Sequence, residues 1–224
     1  MNSEQKLTKK GDFVELRFTG KANNSIFDSN IEEDLKSIDS KAEPKETIVV
    51  IGENMLVPGL DKELEKKEIG KEYTIKISSE DAFGPRRREL VRTIPLSVFT
   101  QQKINPRPGA SLLMDNHLVR IITISGARVV TDFNNPLAGK DLEYKFSIVK
   151  IIDDEKKKAE VLFEFFFKTI PEFEILNNEI IVNLPEKVDP LIKMFSEKFN
   201  TLMGKTLKLK ENKKEEKEED KNTL

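Results

Sequence analysis

The sequence predicts an α+β protein, on three observations. Val14, Leu16 and Phe18 alternate with charged residues, and Tyr73, Ile75 and Ile77 and, later, Leu142, Tyr144, Phe146 and Ile148 alternate with charged or polar ones; period-two alternation marks half-buried strands. After Asp154 the apolar period becomes helical, through Leu162, Phe165 and Phe166 and again through Ile192, Phe195, Phe199 and Leu202. Between these regions, after Gly84-Pro85, the composition changes to a β-rich segment that ends near Asn135.

Each element can be justified in order. Residues 1–10 are polar and expected to fray. A strand over 12–18 follows, ended by Thr19-Gly20. A loop holds Asn23-Asn24-Ser25 and leads to Phe27-Asp28. Ile31, Leu35 and Ile38 fall at helical spacing, with Ser29 or Asn30 as the cap. After a loop over 40–46, the β-branched run at 48–51 suits a buried strand. Gly52 breaks it. Met55, Leu56 and Val57 then cluster before Pro58-Gly59, a turn signal flanked by apolar residues where a surface turn would be polar. Leu60, Leu64 and Ile69 suggest a short helix stopped by Gly70. The strand through Ile77 leads to Phe83 on a tight Asp-Ala-Phe-Gly loop.

In the β-rich segment, strands are expected at 90–93, 112–114, 118–124 and 128–133, with a turn at Ser125-Gly126. Apolar residues lie on what reads as both faces of these strands. The chain returns through Pro136-Leu137-Ala138-Gly139. Beyond Asp154, a helix over 155–169 carries Phe163, Phe165, Phe166 and Phe167. A hairpin turns at Asn177-Asn178, and a helix over 189–203 stops at Gly204. One helix face cannot hide all four phenylalanines, so a homodimer through this C-terminal region is expected, with packing against the chain's own N-terminal domain as the competing account. Residues 208–224 read as a mixed-charge tail expected to be disordered, with 210–224 set apart from the C-terminal module as the charged tail.

Composition narrows the chemistry. Of 224 residues, 38 are Lys or Arg and 40 Asp or Glu, a net charge of −2 that gives no global pull toward nucleic acid or anionic membrane. No apolar run approaches the ~20 residues that span a bilayer. There is no Cys, hence no disulfide framework and no thiolate metal site. The N-terminus has no apolar core segment, so a cytoplasmic protein is expected. His117 is the only histidine. It stands two residues after Asp115, but no nucleophile elbow accompanies it. No phosphate-loop or dinucleotide pattern is present. Arg86-Arg87-Arg88 is the sharpest basic cluster; it reads as solvated linker, with contact to ribosomal RNA or an acidic client as the functional alternative.

RFTGKA at 17–22, FDSN at 27–30, the segment from IGENMLVPGLDKELEKKEIGKEYTIKI to DAFG over 51–84, and NNPLAGKDLEYKFSIVKI at 134–151 form an ordered set covering about two thirds of the chain. The set resembles the FKBP-type peptidyl-prolyl cis–trans isomerases, most nearly the bacterial SlyD-like and long-chain archaeal members. The resemblance implies an FKBP-like antiparallel sheet with a short helix over 1–85 and 136–153, and an inserted β-rich flap domain, called insert-in-flap, over 86–135. A small C-terminal α/β module over 154–209 completes the expected organisation.

The resemblance also implies an activity, isomerisation of Xaa-Pro bonds with folding-chaperone action on unfolded or nascent proline-containing polypeptides, and no cofactor or metal. The proline cup would be lined by Phe18, Phe27, Leu56, Val57, Leu60, Phe83 and Tyr144. Asp28 would be the lone carboxylate near the amide, and the Val57 N–H would donate to a substrate carbonyl. On periodicity alone these would be ordinary core residues. The chain departs from the better-known eukaryotic members at several positions: Phe18 and Phe83 stand where those have Tyr, Leu60 replaces a large aromatic floor residue, and the wall near Thr47 lacks its aromatic. A non-enzymatic binding chaperone is the alternative these departures leave open. The tail has no His or Cys, unlike the nickel-binding tails of bacterial SlyD-like proteins.

Overall fold

A computed structural model describes residues 7–114 and 117–210. The chain divides between Ile151 and Ile152 into two compact units. Among the described residues no helix is long and apolar enough to cross a membrane.

The first unit begins with β1 (Phe13–Ala22), β2 (Ser25–Ser29), α1 (Glu32–Ile38), β3 (Thr47–Val50), α2 (Pro58–Glu63) and β4 (Glu72–Ile77). The second part of this unit holds β5 (Val91–Pro95), α3 (Leu96–Gln101), β6 (Ser111–Met114), β7 (His117–Ser125), β8 (Arg128–Asp132) and β9 (Leu142–Ile151). One antiparallel sheet has the order β2-β1-β9-β4, with β3 paired to the other end of β1. Its inner face carries Val14, Leu16, Phe18, Ile77, Leu142, Tyr144, Phe146 and Ile148, and α2 contributes Leu60 to the same core.

β1 runs further than its alternation suggests. Thr19-Gly20 does not end it; both pair on two sides, with β2 and with β9. The edge of β1 is shared: β2 covers Thr19 to Ala22, and β3 covers Phe13 to Leu16. Asn30 fills the gap between them. Its side-chain oxygen accepts from the Phe18 N–H (2.9 Å), and its Nδ2 donates to the Leu16 carbonyl (2.7 Å) and to Thr47 Oγ1 (3.0 Å). Buried backbone groups must be paired, and here an amide side chain does the work of a strand. Asn30 therefore does not cap α1, whose N-cap is Ile31 without a side-chain bond. Ser29 Oγ accepts from the Ile31 N–H instead (3.0 Å). α1 buries none of its residues, and Ile38 is exposed. The helix after Val57 ends earlier than Ile69: Leu64 is its C-cap and Lys66 takes positive φ.

Near the N-terminus, Thr8 is not frayed. It is buried, and its hydroxyl donates to the Leu64 carbonyl (2.6 Å). Residues 1–6 lie outside the described residues, as does Asp115 beside His117.

The inserted segment forms its own sheet, in the order β5-β8-β7-β6. The unexpected element is α3, six residues after Pro95. Its Phe99 is fully buried and packs with Met114, Val119, Ile121 and Val129. One sheet face is thus covered within the insert, while Leu113 and Leu118, opposite each other in register, remain exposed. Outgoing and returning chains are clasped at the junction. Asn134 accepts from the Arg87 N–H (2.8 Å) and donates to the Arg87 carbonyl (2.9 Å). Arg86 is ion-paired with Asp132 (2.5 Å), so it is not a free member of the basic cluster.

The second unit holds α4 (Glu155–Phe167), β10 (Phe173–Leu176), β11 (Glu179–Val182), α5 (Asp189–Met203) and β12 (Thr206–Leu209). Asp154 caps α4, accepting from the Lys157 N–H (2.7 Å). β10 and β11 form the hairpin, with Asn177 at positive φ, and β12 adds in parallel to β11. Lys208 and Leu209 therefore belong to a strand and not to a tail; residues 211–224 lie outside the described residues. The phenylalanines of α4 find partners inside this unit. Phe163 is buried against Phe173 and Phe199, and Phe166 stacks on Phe195 with ring centroids 4.5 Å apart.

Candidate active site

The sheet register brings together the predicted residues that lie on β1, β2 and β9. Gly20 on β1 is opposite Asp28 on β2 and Tyr144 on β9. The β1–β2 register shifts between Gly20 and Lys21, which leaves Phe27 as the extra residue of a β-bulge. A bulge breaks strict alternation, so consecutive Phe27 and Asp28 both serve the same side of the sheet. Without it, one of the two would face away.

Four aromatic rings follow one another across this surface. The centroids of Phe18 and Tyr144 are 6.2 Å apart, those of Tyr144 and Phe27 are 5.9 Å apart and edge-on, and those of Phe27 and Phe83 are 6.4 Å apart and edge-on. Edge-on contacts at these separations are favourable for aromatic quadrupoles. Phe18, Leu60 and Tyr144 are buried members of one core cluster; Phe27, Leu56 and Val57 are half-buried and pack against that cluster. Phe83 is 36% exposed and closes the succession of rings through Phe27.

Gly20 makes the arrangement sterically feasible. A Cβ there would lie 2.8 Å from Phe27 Cζ and 2.9 Å from Tyr144 Cε1. Sequence reasoning missed this residue, although a glycine inside a strand pattern is itself a signal of close approach. It also missed Asp61, a buried residue on α2. The Asp61 carboxylate accepts from the N–H groups of Gly52 (3.0 Å) and Asn54 (3.2 Å). These bonds tie down the loop that presents Met55, Leu56 and Val57. Gly59 is equally constrained, since a Cβ would come within 2.4 Å of Ile77 Cγ2.

Among the described residues the Val57 N–H has no hydrogen-bond acceptor, whereas its carbonyl accepts from Leu60 and Asp61 (both 3.0 Å). The site thus retains an available backbone donor beside apolar walls. Asp28 is exposed as a residue. Partial loss of hydration nevertheless holds its carboxyl above the ordinary aspartate value, with a bond from the Ser29 backbone pulling the other way. The Tyr144 hydroxyl is pushed up to about 12, by burial first and then by the negative charge of Asp28. It stays protonated at neutral pH and can only donate or accept as a neutral phenol.

The remaining candidates separate from this group. His117 starts β7, on the inserted sheet. Thr47 is bonded to Asn30 and offers no aromatic wall.

The model of the FKBP-type peptidyl-prolyl cis-trans isomerase family matches residues 4–97, and that of the FKBP26 IF domain matches residues 92–137. A short-type peptidyl-prolyl cis-trans isomerase of Methanocaldococcus jannaschii is 28% identical over 157 residues, 69% of this chain and 98% of that protein. The FKBP-type peptidyl-prolyl cis-trans isomerase SlyD of Vibrio cholerae is 36% identical over 104 residues, 45% of this chain and 51% of the relative. That of Helicobacter pylori is 29% identical over 153 residues, 66% of this chain and 76% of the relative. The chain thus spans nearly all of the short-type relative but about half of the Vibrio one. With these matches in sequence order, the chain carries an FKBP-type peptidyl-prolyl cis–trans isomerase domain and an FKBP26 IF domain, an arrangement consistent with a SlyD-like FKBP.

Proposed function

We propose that the chain catalyses cis–trans isomerisation of Xaa-Pro bonds in unfolded or nascent polypeptides and holds such clients as a chaperone. Residues 1–85 and 136–153 would form the isomerase part, 86–135 the insert-in-flap part and 154–209 a C-terminal α/β module. The observation that carries the catalytic reading is the succession of Phe18, Tyr144, Phe27 and Phe83 rings around Gly20, with Asp28 beside them and the Val57 N–H unengaged.

Rotation about the amide faces a barrier of ~18–20 kcal/mol because resonance must be broken. The twisted amide has less charge separation than the planar one. A water-poor aromatic cup therefore disfavours the ground state relative to the transition state, and only such differential effects raise the rate. In this reading the floor of Phe18, Leu60 and Tyr144 receives the proline ring, Leu56 and Val57 form a wall, and Phe27 and Phe83 close the mouth. The Val57 N–H donates to the client carbonyl and fixes the segment while the bond turns. Asp28 presents negative charge near the rotating amide. No nucleophile, metal or cofactor takes part.

The holding function rests on the insert. Leu113 is 69% and Leu118 50% exposed, and β6 is a sheet edge. An extended client can pair with such an edge through main-chain hydrogen bonds without a demanded sequence. Self-association through the C-terminal unit is a separate proposal. Its support is now the exposed Leu191 and Met194 of α5, since the four phenylalanines have intramolecular partners. Light scattering on the full chain decides it, a monomer across micromolar concentrations removing the idea.

A protease-coupled isomerisation assay on a short Xaa-Pro peptide tests the catalytic reading. Tyr144→Ala and Phe27→Ala are each expected to lower kcat/KM by about tenfold or more. Asp28→Ala should cost less, because Phe18 supplies no phenol to orient the carboxylate. A wild-type chain that leaves the uncatalysed rate unchanged while still suppressing aggregation is a binding chaperone and not an isomerase.

A further inference from the structure

A cavity of about 280 Å³ is lined by the inserted sheet and by the chain segments that enter and leave it, and it shares no lining residue with the aromatic cup. Arg86, Arg120 and Lys140 line it, with Asp132 the lone carboxylate and Leu118 an apolar wall. That carboxylate is already engaged. Its Oδ2 accepts from Arg86 (2.5 Å), and its Oδ1 accepts from the Asn134 backbone (3.0 Å) and side chain (2.7 Å). Arg120 and Lys140 make no ion pair among the described residues. Among the described residues that line it, three cations share one carboxylate, so in a chain of net charge −2 this cavity is locally positive.

The cavity is also tied to the cup. Arg86 follows Phe83 by three residues, so their Cα atoms are separated by at most ~11 Å. The Gly139 N–H bonds the Gly84 carbonyl (2.8 Å), joining the loop of Lys140 to that of Phe83. An extended client advances ~3.3 Å per residue, so a side chain about three residues from a seated proline can reach the cavity.

We propose that this cavity is a subsite for a carboxylate of the bound polypeptide, gripped by Arg120 and Lys140. The inference rests on the isomerase reading for the position of the client. Arginine offers a planar fork matched to a carboxylate, and lysine adds a compact charge. An acidic side chain and the free end of a client chain share that chemistry. The isomerase would thus favour proline segments with an acidic group about three residues away.

Three short fluorescent proline peptides test it on the full chain by anisotropy. One has Glu at that spacing and an amidated end. The second has Gln there and an amidated end. The third has Gln and a free terminal carboxylate at that spacing. The wild type should bind one or both carboxylate peptides about tenfold more tightly than the amidated Gln peptide, and the arm that gains identifies the source. In R120Q/K140Q the advantage should fall to within about twofold, with affinity for the amidated Gln peptide unchanged. That unchanged affinity, with an unaltered circular dichroism spectrum, shows that the double variant is folded. Equal affinity for all three peptides in the wild type overturns the proposal, as does an advantage kept by the double variant. Turnover of the amidated Gln peptide is read separately: its absence counts against the cup as a catalyst, while anisotropy still decides the cavity.

Discussion

Gly20 and Phe27 fit each other by subtraction: the ring occupies the volume that a side chain on Gly20 would need, to within 2.8 Å of its missing Cβ. Gly20→Ala must displace the Phe27 and Tyr144 rings together. Overpacking of this kind costs ~1–3 kcal/mol of stability, and kcat/KM should fall by about tenfold. Removing the ring removes part of the conflict. Gly20→Ala placed on Phe27→Ala should therefore cost clearly less than on the wild type. Denaturation and peptide assays on the four proteins of this cycle would show it; strictly additive effects would mean that the two residues do not share the space.

The raised carboxyl of Asp28 gives a pH dependence with a defined sign. A carboxyl whose folded value lies above its unfolded value binds more protons in the native state between the two. Stability therefore falls as pH rises through that window, and the full penalty is present at neutral pH. Asp28→Asn should raise the melting temperature at pH 7, and the gain should vanish below pH 3.8, the ordinary value of the group. If the ionised form assists turnover, wild-type activity should begin to decline on the acid side sooner than a fully hydrated aspartate predicts, and the Asn variant should lose that acid limb.

Asn30 bridges the space that β2 and β3 leave on β1. Asn30→Ala would strip the Phe18 N–H and Leu16 carbonyl of their partner, at about 2–3 kcal/mol for groups held from water. Amide exchange at Phe18 should accelerate most. Exchange unchanged at Phe18 would show that the ladder does not depend on this side chain.

The outgoing and returning chains of the insert are clasped to each other by Asn134, and the insert supplies none of the proposed cup. Replacing residues 85–136 by a short glycine-containing loop should leave tetrapeptide isomerisation within several-fold of the intact chain. Acceleration of proline-limited refolding and suppression of aggregation should drop sharply, because tethering of clients near the cup is lost. Clients protected equally well by the shortened protein would place the holding surface elsewhere.

Much of the α+β pattern was legible because period-two and helical apolar spacings survive in single stretches, as at Leu142–Ile148 or Ile192–Leu202. The eight proposed site residues were reached by motif order; four of them, Phe18, Tyr144, Phe27 and Phe83, form one succession of ring contacts, and Leu56, Val57 and Leu60 belong to or pack against the same core as Phe18 and Tyr144. What was not legible depended on partners distant in sequence. Gly20 looks like a strand end until Phe27 and Tyr144 are placed around it. The bulge at Phe27 exists only in the register between two strands. Asn30 looks like a helix cap because its actual partners are the unpaired groups of β1. Phe99 was missed because α3 is too short for periodicity to show.

The place of β9 has a consequence for how the chain is made. β9 lies between β1 and β4, and its residues, Leu142–Ile151, follow the insert. While the chain is being synthesised, β4 has no sheet partner until those residues emerge. Among the described residues the insert's four strands, from Val91 to Asp132, pair only with one another and are complete earlier. The guest can therefore fold before its host. The host must wait with β1 and β4 unjoined for a long-range closure, the kind of step that slows folding.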